Sequence, residues 1–207
     1  GDVYKRQNQY PDAMIQSLYR NDELIDFVYN YPTRKGHVYT NTIGSVTKGR
    51  YPLLLQYDQR WGYGKYGYNV IGMNGCGPTS AAMIIAGLTG RNNITPYDVA
   101  SYAYSHGYYQ EGTSWSFFTE GMKYYGIHGR NIPLSYSSMK RELMNNRPLI
   151  CSMRPGDFTT TGHLIVIKGM KQGMFIVNDP NSRKRSNRLW SYDTLSKQIK
   201  NVWSFSR

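Results

Sequence analysis

The chain has 207 residues, 40% of them hydrophobic and 18% charged, with two cysteines and a formal charge of +12. That is one ordinary globular domain, or a domain with an appendage, and enough chain to bury a real core. The longest apolar run, Ala81 to Leu88, is too short to span a bilayer, and two cysteines make no disulfide framework, so two free thiols are expected.

Residues 1–10 read as irregular, and no export signal is visible in them, which says little about export. Pro11-Asp12 opens a helical pattern carrying Ala13, Met14, Leu18, Leu24, Ile25, Phe27 and Val28. Asn21-Asp22 divides it into two short helices, and Tyr31-Pro32 is expected to end the second. Thr33 to Gly49 is polar and basic and reads as a linker. Residues 1–49 are thus a helical arm, and 50–207 the main domain.

Tyr51 to Gln56 is expected to form a short strand, followed by a glycine–tyrosine loop up to Asn69. Asn74-Gly75-Cys76-Gly77-Pro78-Thr79-Ser80 is a glycine-flanked turn running into the buried helix Ala81 to Leu88, with Pro78 in its first turn. Thr95-Pro96-Tyr97-Asp98 starts another helix with a capping residue, a proline and an acid. Gly112 to Trp115 is a turn, Phe117 to Tyr125 a helix closed by Gly126, and Ser137 to Asn145 a further helix. His106 and His128 follow helices and suit C-terminal caps.

From Pro148 the pattern changes. Pro148–Met153, His163–Met170 and Met174–Asn178 read as strands, the last two joined by a hairpin turn at Gln172-Gly173. Asp179 to Ser182 is a sharp turn. Leu189-Trp190 and Val202–Phe205 read as edge strands around a short helix from Asp193 to Ile199. Helices first and a sheet second make an α+β fold with a two-lobed cleft.

Cys76 at a helix start meets unpaired N–H groups and the positive dipole end, a setting that favours a thiolate. A cysteine nucleophile needs a base, and the base needs an orienter. His163 and Asp179 are equidistant from residue 171, near the hairpin turn, so their side chains are expected to be neighbours. Cys76, His163 and Asp179 are therefore the candidate triad. Taken alone, Cys76 also reads as a small buried cysteine in a packed helix start, and His163 as a satisfied strand-start histidine. The oxyanion of acyl transfer needs donors. The Cys76 N–H is one, and Gln56 is the favoured second over Gln59, Asn69 and Asn74. Gly75, Gly77, Trp115 and Gly162 are expected to contact substrate. No metal-binding spacing is present and no cofactor is implied.

The charge is uneven: residues 1–50 carry +2, 51–150 carry +3 and 151–207 carry +7. The segment 183–188, with Arg183, Lys184, Arg185 and Arg188, suits an anionic polymer such as those of cell walls, or is a solvated basic loop. No nucleic-acid reader motif is present, so nucleic acid is not an expected partner.

Gly75-Cys76-Gly77-Pro78-Thr79-Ser80-Ala81-Ala82-Met83, Gly162-His163-Leu164-Ile165-Val166 and Val177-Asn178-Asp179-Pro180-Asn181-Ser182 together resemble papain-like cysteine peptidases of the C39 type. These include the domains that trim double-glycine leaders from bacteriocins. The match is nearer to the stand-alone branch in Gram-positive bacteria, generally exported or surface-associated. Pro52-Leu53-Leu54-Leu55-Gln56 with Asp58-Gln59-Arg60-Trp61-Gly62 looks like that branch, as do Pro148 to Phe158 and the tail from Leu189 to Trp203. The resemblance implies a papain-like fold, Cys76 as nucleophile, His163 as base and acid, Asp179 as orienter, and an oxyanion-hole glutamine upstream of the cysteine. In the leader-trimming domains that glutamine lies a few residues before the cysteine, whereas Gln56 lies 20 before it. The expected activity is hydrolysis of a peptide or protein substrate outside the cell or at its surface. The alternatives are an amidase or endopeptidase acting on wall peptides, and a binding module without catalysis.

Overall fold

The computed structural model describes residues 9–207. The irregular reading of the first residues therefore falls almost wholly outside the described part.

The arm forms α1 (Asp12–Arg20), a single 3-10 turn at Asp22–Leu24, and α2 (Ile25–Arg34). The break falls where Asn21 leaves helical geometry, its side chain accepting from Glu23 N. Contrary to expectation, Pro32 does not end α2. It removes one N–H from the last turn, and the Lys35 N–H still reaches Tyr31 O. The stretch after α2 is not a free linker. Tyr39 N donates to Arg60 O, Ile43 N to Asn92 O and Gly49 N to Gly87 O, which straps it along the body. The arm buries Met14, Leu18, Phe27 and Val28 against Tyr63 and Val70 of the main domain. Phe27 stacks on Tyr63 at 4.4 Å.

The expected strand at Tyr51–Gln56 is irregular chain without a ladder. Its first two carbonyls are taken by a side chain instead: Asn178 Nδ2 donates to Tyr51 O and Pro52 O. The glycine–tyrosine loop holds a small hairpin, β1 (Lys65–Tyr66) with β2 (Asn69–Val70), and leads through α3 (Ile71–Asn74) into α4 (Cys76–Thr89). Helix α4 is apolar on all sides and buried from Gly77 to Gly87, as a central helix must be. Next, α5 (Pro96–Ser105) begins at the expected capping residue Thr95, which forms a capping box with Asp98, and ends at His106, whose ring nitrogen meets Tyr102 O. The predicted helix at 117–125 is split into α6 (Ser116–Thr119) and a 3-10 turn ending at Gly126. His128 is no helix cap but opens strand β3 (His128–Asn131). After α7 (Tyr136–Met144) come β4 (Leu149–Met153), β5 (His163–Lys171) and β6 (Met174–Asn178). Then follow α8 (Arg183–Ser186), β7 (Leu189–Trp190), α9 (Tyr192–Ser196) and β8 (Ile199–Ser206).

The six-stranded sheet is antiparallel in the order β3-β8-β4-β5-β6-β7. The last strand is thus interior rather than an edge: β8 pairs β3 on one side and β4 on the other, which explains its near-continuous burial. Alternation sorts the sheet's two faces. Ile150, Leu164, Val166, Trp203 and Phe205 pack on α4. Leu149, Cys151, Ile165, Ile167, Phe175 and Val177 pack with Met139 and Leu143 of α7 and Leu195 of α9. An antiparallel sheet with helices packed on both faces gives the expected α+β architecture, and the start of α4 faces one end of β5.

Candidate active site

Cys76 is the first residue of α4, with Gly75 as its N-cap, as the sequence predicts. No intrahelical acceptor exists for the amides there. His163 is the first residue of β5, paired with Met153 of β4. Asp179 follows β6 directly and is fully buried. The hairpin brings the last two together, but not by direct opposition. Lys171 pairs with Met174, so the turn is centred beyond residue 171, and a bulge near Lys168 shifts the register. Val166 then lies opposite Asn178, and extending that register places Asp179 opposite Ile165, two residues from His163 on the same face. A long side chain spans such a diagonal. His163 Nε2 comes within 2.7 Å of Asp179 Oδ1.

A carboxylate only accepts, so Nε2 carries the shared proton and Nδ1 is left for Cys76. His163 also shares a side-chain hydrogen bond with Cys76. Burial of His163 opposes its protonation, but the charge and hydrogen bond of Asp179, and then Cys76, outweigh it. Its pKa is raised from 6.5 to about 10. Burial likewise opposes ionisation of Asp179, yet His163 and Arg185 hold it below the usual carboxylate range.

Arg185 is the partner that sequence reasoning missed. Its Nε donates to Asp179 Oδ2 at 2.6 Å, while the Asn181 N–H adds a bond to Oδ1 at 2.8 Å. The basic segment 183–188 is therefore divided. Arg185 turns inward, whereas Arg183, Lys184 and Arg188 are exposed.

Cys76, His163 and Gln56 line one cavity of about 490 Å³, together with Asn74, Thr113, Gly162 and Asn181. Gln56 is buried, and its own N–H is fixed by Pro180 O at 2.7 Å. Its Nε2 donates to Gly72 O at 3.2 Å, which leaves a second N–H on the same nitrogen. The chain folds back across the glycine–tyrosine loop, so 20 residues of separation do not keep Gln56 from the cleft.

The four predicted substrate contacts separate. Gly162 lines the cavity, and the nearest atom to a Cβ added there is 4.0 Å away. Gly75 and Gly77 are buried and do not open onto it. A Cβ on Gly77 would come within 2.2 Å of Thr113 Oγ1, so that glycine serves the close approach of the 109–115 loop to α4. Trp115 lies away from the cavity, edge-on to Trp203 with Lys200 over its ring.

Cys151, the other thiol, is buried under the sheet, and burial pushes its pKa up. Among the described residues no group of His, Cys, Asp or Glu side chains is arranged to hold a metal ion. No helix among them is long and apolar enough to cross a membrane.

Two peptidase structures are among the solved structures to which the chain is similar. One is the peptidase domain of Streptococcus ComA, a bi-functional ABC transporter involved in a quorum-sensing pathway. It shares 20% identity over 75% of this chain and 96% of that one, with a TM-score of 0.48. The other is described as a C39-like peptidase from Bacillus anthracis, with 16% identity over 79% of this chain and 98% of that one, and a TM-score of 0.46. No curated protein matches the chain. The family model described as Peptidase_C39 like matches residues 48–206, everything but the first 47 residues and the last one. This chain belongs to the Peptidase_C39 like family.

Proposed function

We propose that the chain is a cysteine peptidase acting through Cys76, His163 and Asp179. The observation that carries this is the proton path: Asp179 holds Nε2 of His163, which leaves Nδ1 to Cys76 at the start of α4. The Cys76 thiolate attacks the scissile carbonyl and its electron pair moves onto oxygen. The Cys76 N–H and the free N–H of Gln56 receive that oxyanion. As the C–N bond breaks, His163 gives its proton to the leaving amine, and a thioester remains. His163, now neutral, takes a proton from water, whose oxygen attacks the thioester. The acid departs and the thiolate–imidazolium pair is restored.

Exposed Arg183, Lys184 and Arg188 favour a second, narrower reading of the substrate: a peptide of the cell wall, met outside the cell or at its surface beside anionic polymer. The assembled Cys–His–Asp set weighs against a binding module without catalysis. A peptide-library digest read by mass spectrometry tests the proposal. Cleavage by the native chain and none by Cys76→Ala is the expected result. Equal cleavage by both would refute it.

A further inference from the structure

The candidate triad leaves one electrostatic question open. Asp179 has no exposure, and during turnover His163 is neutral for part of the cycle. A buried carboxylate without a cationic partner is strongly disfavoured. Arg185 supplies that partner through Oδ2, on the side away from His163. Yet Arg185 sits on α8, a single turn of four residues that has no stability of its own.

At its far end α8 is held by Trp190 Nε1, which donates to Arg185 O at 2.9 Å, and by Ser186 Oγ, which accepts from Asp179 N at 2.7 Å; what holds its start comes from the arm. Glu23 accepts from Ser182 Oγ at 2.9 Å, Arg183 N at 2.7 Å and Lys184 N at 3.4 Å, and from Tyr57 OH at 2.7 Å. Ser182 Oγ in turn accepts from Arg185 N at 3.0 Å. Beside it, Asn21 Nδ2 donates to Asn181 O at 2.9 Å, and Asn181 N binds Asp179. Burial opposes the charge on Glu23, but these hydrogen bonds keep it ionised. Asn21 and Glu23 both precede the part of the chain that the family model matches.

We infer that Glu23 is a positioning residue of the active site. From the N-terminal arm it fixes residues 181–185, so that Arg185 holds Asp179 in the plane that His163 requires. The arm completes the catalytic unit rather than merely covering it. This inference rests on the proposed triad.

The test uses the full chain and the variants Glu23→Gln, Glu23→Ala, Arg185→Met and Glu23→Ala with Arg185→Met. The first readout is hydrogen exchange of the Arg185 Nε–H, followed by NMR. It needs no substrate and so is independent of the peptidase reading. The Glu23→Ala chain is expected to exchange this proton at least about tenfold faster while remaining folded. The second readout is kinetic: kcat falls about tenfold in Glu23→Ala with KM within about twofold, and the double variant is no slower than Arg185→Met alone. Unchanged exchange in both Glu23 variants overturns the inference, as does a double variant whose losses multiply. If neither Glu23 variant folds, Glu23 is a folding residue and the positioning role falls. If the native chain cleaves nothing, the peptidase reading fails, and exchange alone decides whether Glu23 holds Arg185.

Discussion

His163 faces Asp179 through Nε2, 2.7 Å from Oδ1, and this assigns the ring's other nitrogen to Cys76. Because the carboxylate is buried and ionised, the imidazolium is held well above its ordinary range.

The raised pKa has a sign that is open to measurement. The stability contributed by the charged His163 is fully present below 6.5 and lost as pH rises through about 10. Activity that needs the imidazolium follows the same limb, so kcat/KM is expected to fall with a midpoint near pH 10. Asp179→Asn removes the charge and should bring that limb down toward 6.5 while lowering kcat on the order of 10²–10⁴. An unmoved alkaline limb in Asp179→Asn contradicts the assignment. Some loss of stability is also expected, since Arg185 would face no anion.

The two thiols should respond differently to an alkylating agent. Cys76 is partly exposed at the cleft, and Cys151 is sealed in the core with its ionisation suppressed by burial. Iodoacetamide under native conditions is expected to modify Cys76 alone and to abolish turnover, with Cys151 labelled only after unfolding. Peptide mapping by mass spectrometry reads the outcome directly.

On the proposed reading, Gln56 acts on the transition state and not on the bound substrate. Gln56→Ala is expected to lower kcat by about 10²–10³ with little change in KM. A rise in KM at unchanged kcat would place Gln56 in ground-state binding.

Away from the cleft, Glu142 ties three elements together. From α7 it accepts from Arg147, from Arg130 of β3 and from Ser204 of β8, while only 4% exposed. The hydrogen bond from Arg147 lowers its pKa against the cost of burial, with Ser204 and Arg130 adding to it, from 4.5 to about 2. Its contribution is therefore present above 4.5 and disappears as pH falls toward 2. At neutral pH it is on the order of 3 kcal/mol. Glu142→Gln should lower Tm at pH 7 far more than at pH 2.5, which thermal denaturation at the two values checks.

Much of this molecule was legible in local chemistry. The capping box at Thr95, the αL glycine after residue 125 and the positive-φ turn at Gln172-Gly173 appear where turn and cap residues demand them. Strand periodicity located β4, β5 and β6. It also brought His163 and Asp179 to the same end of one hairpin, although the bulge near Lys168 made their meeting diagonal. Misreadings arose where tertiary pairing overrode pattern. β8 looks like an edge by its position at the end of the chain, but β3 covers it. Tyr51–Gln56 has a strand's composition, but its first two carbonyls are bound by Asn178 instead of a ladder.

Alone, the sequence determined the fold class, the helix start at Cys76 and the pairing of a histidine with an aspartate, because each rests on short-range periodicity and turn chemistry. Only the tertiary structure decided that Gln56 reaches the cleft, that Gly75 and Gly77 do not open to it, and that Trp115 lies elsewhere. It alone brought Glu23 to α8 across some 160 residues of chain. Such contacts leave no periodic trace. They are set by which surfaces the packed core leaves adjacent, and a buried carboxylate then takes whichever donors that packing supplies.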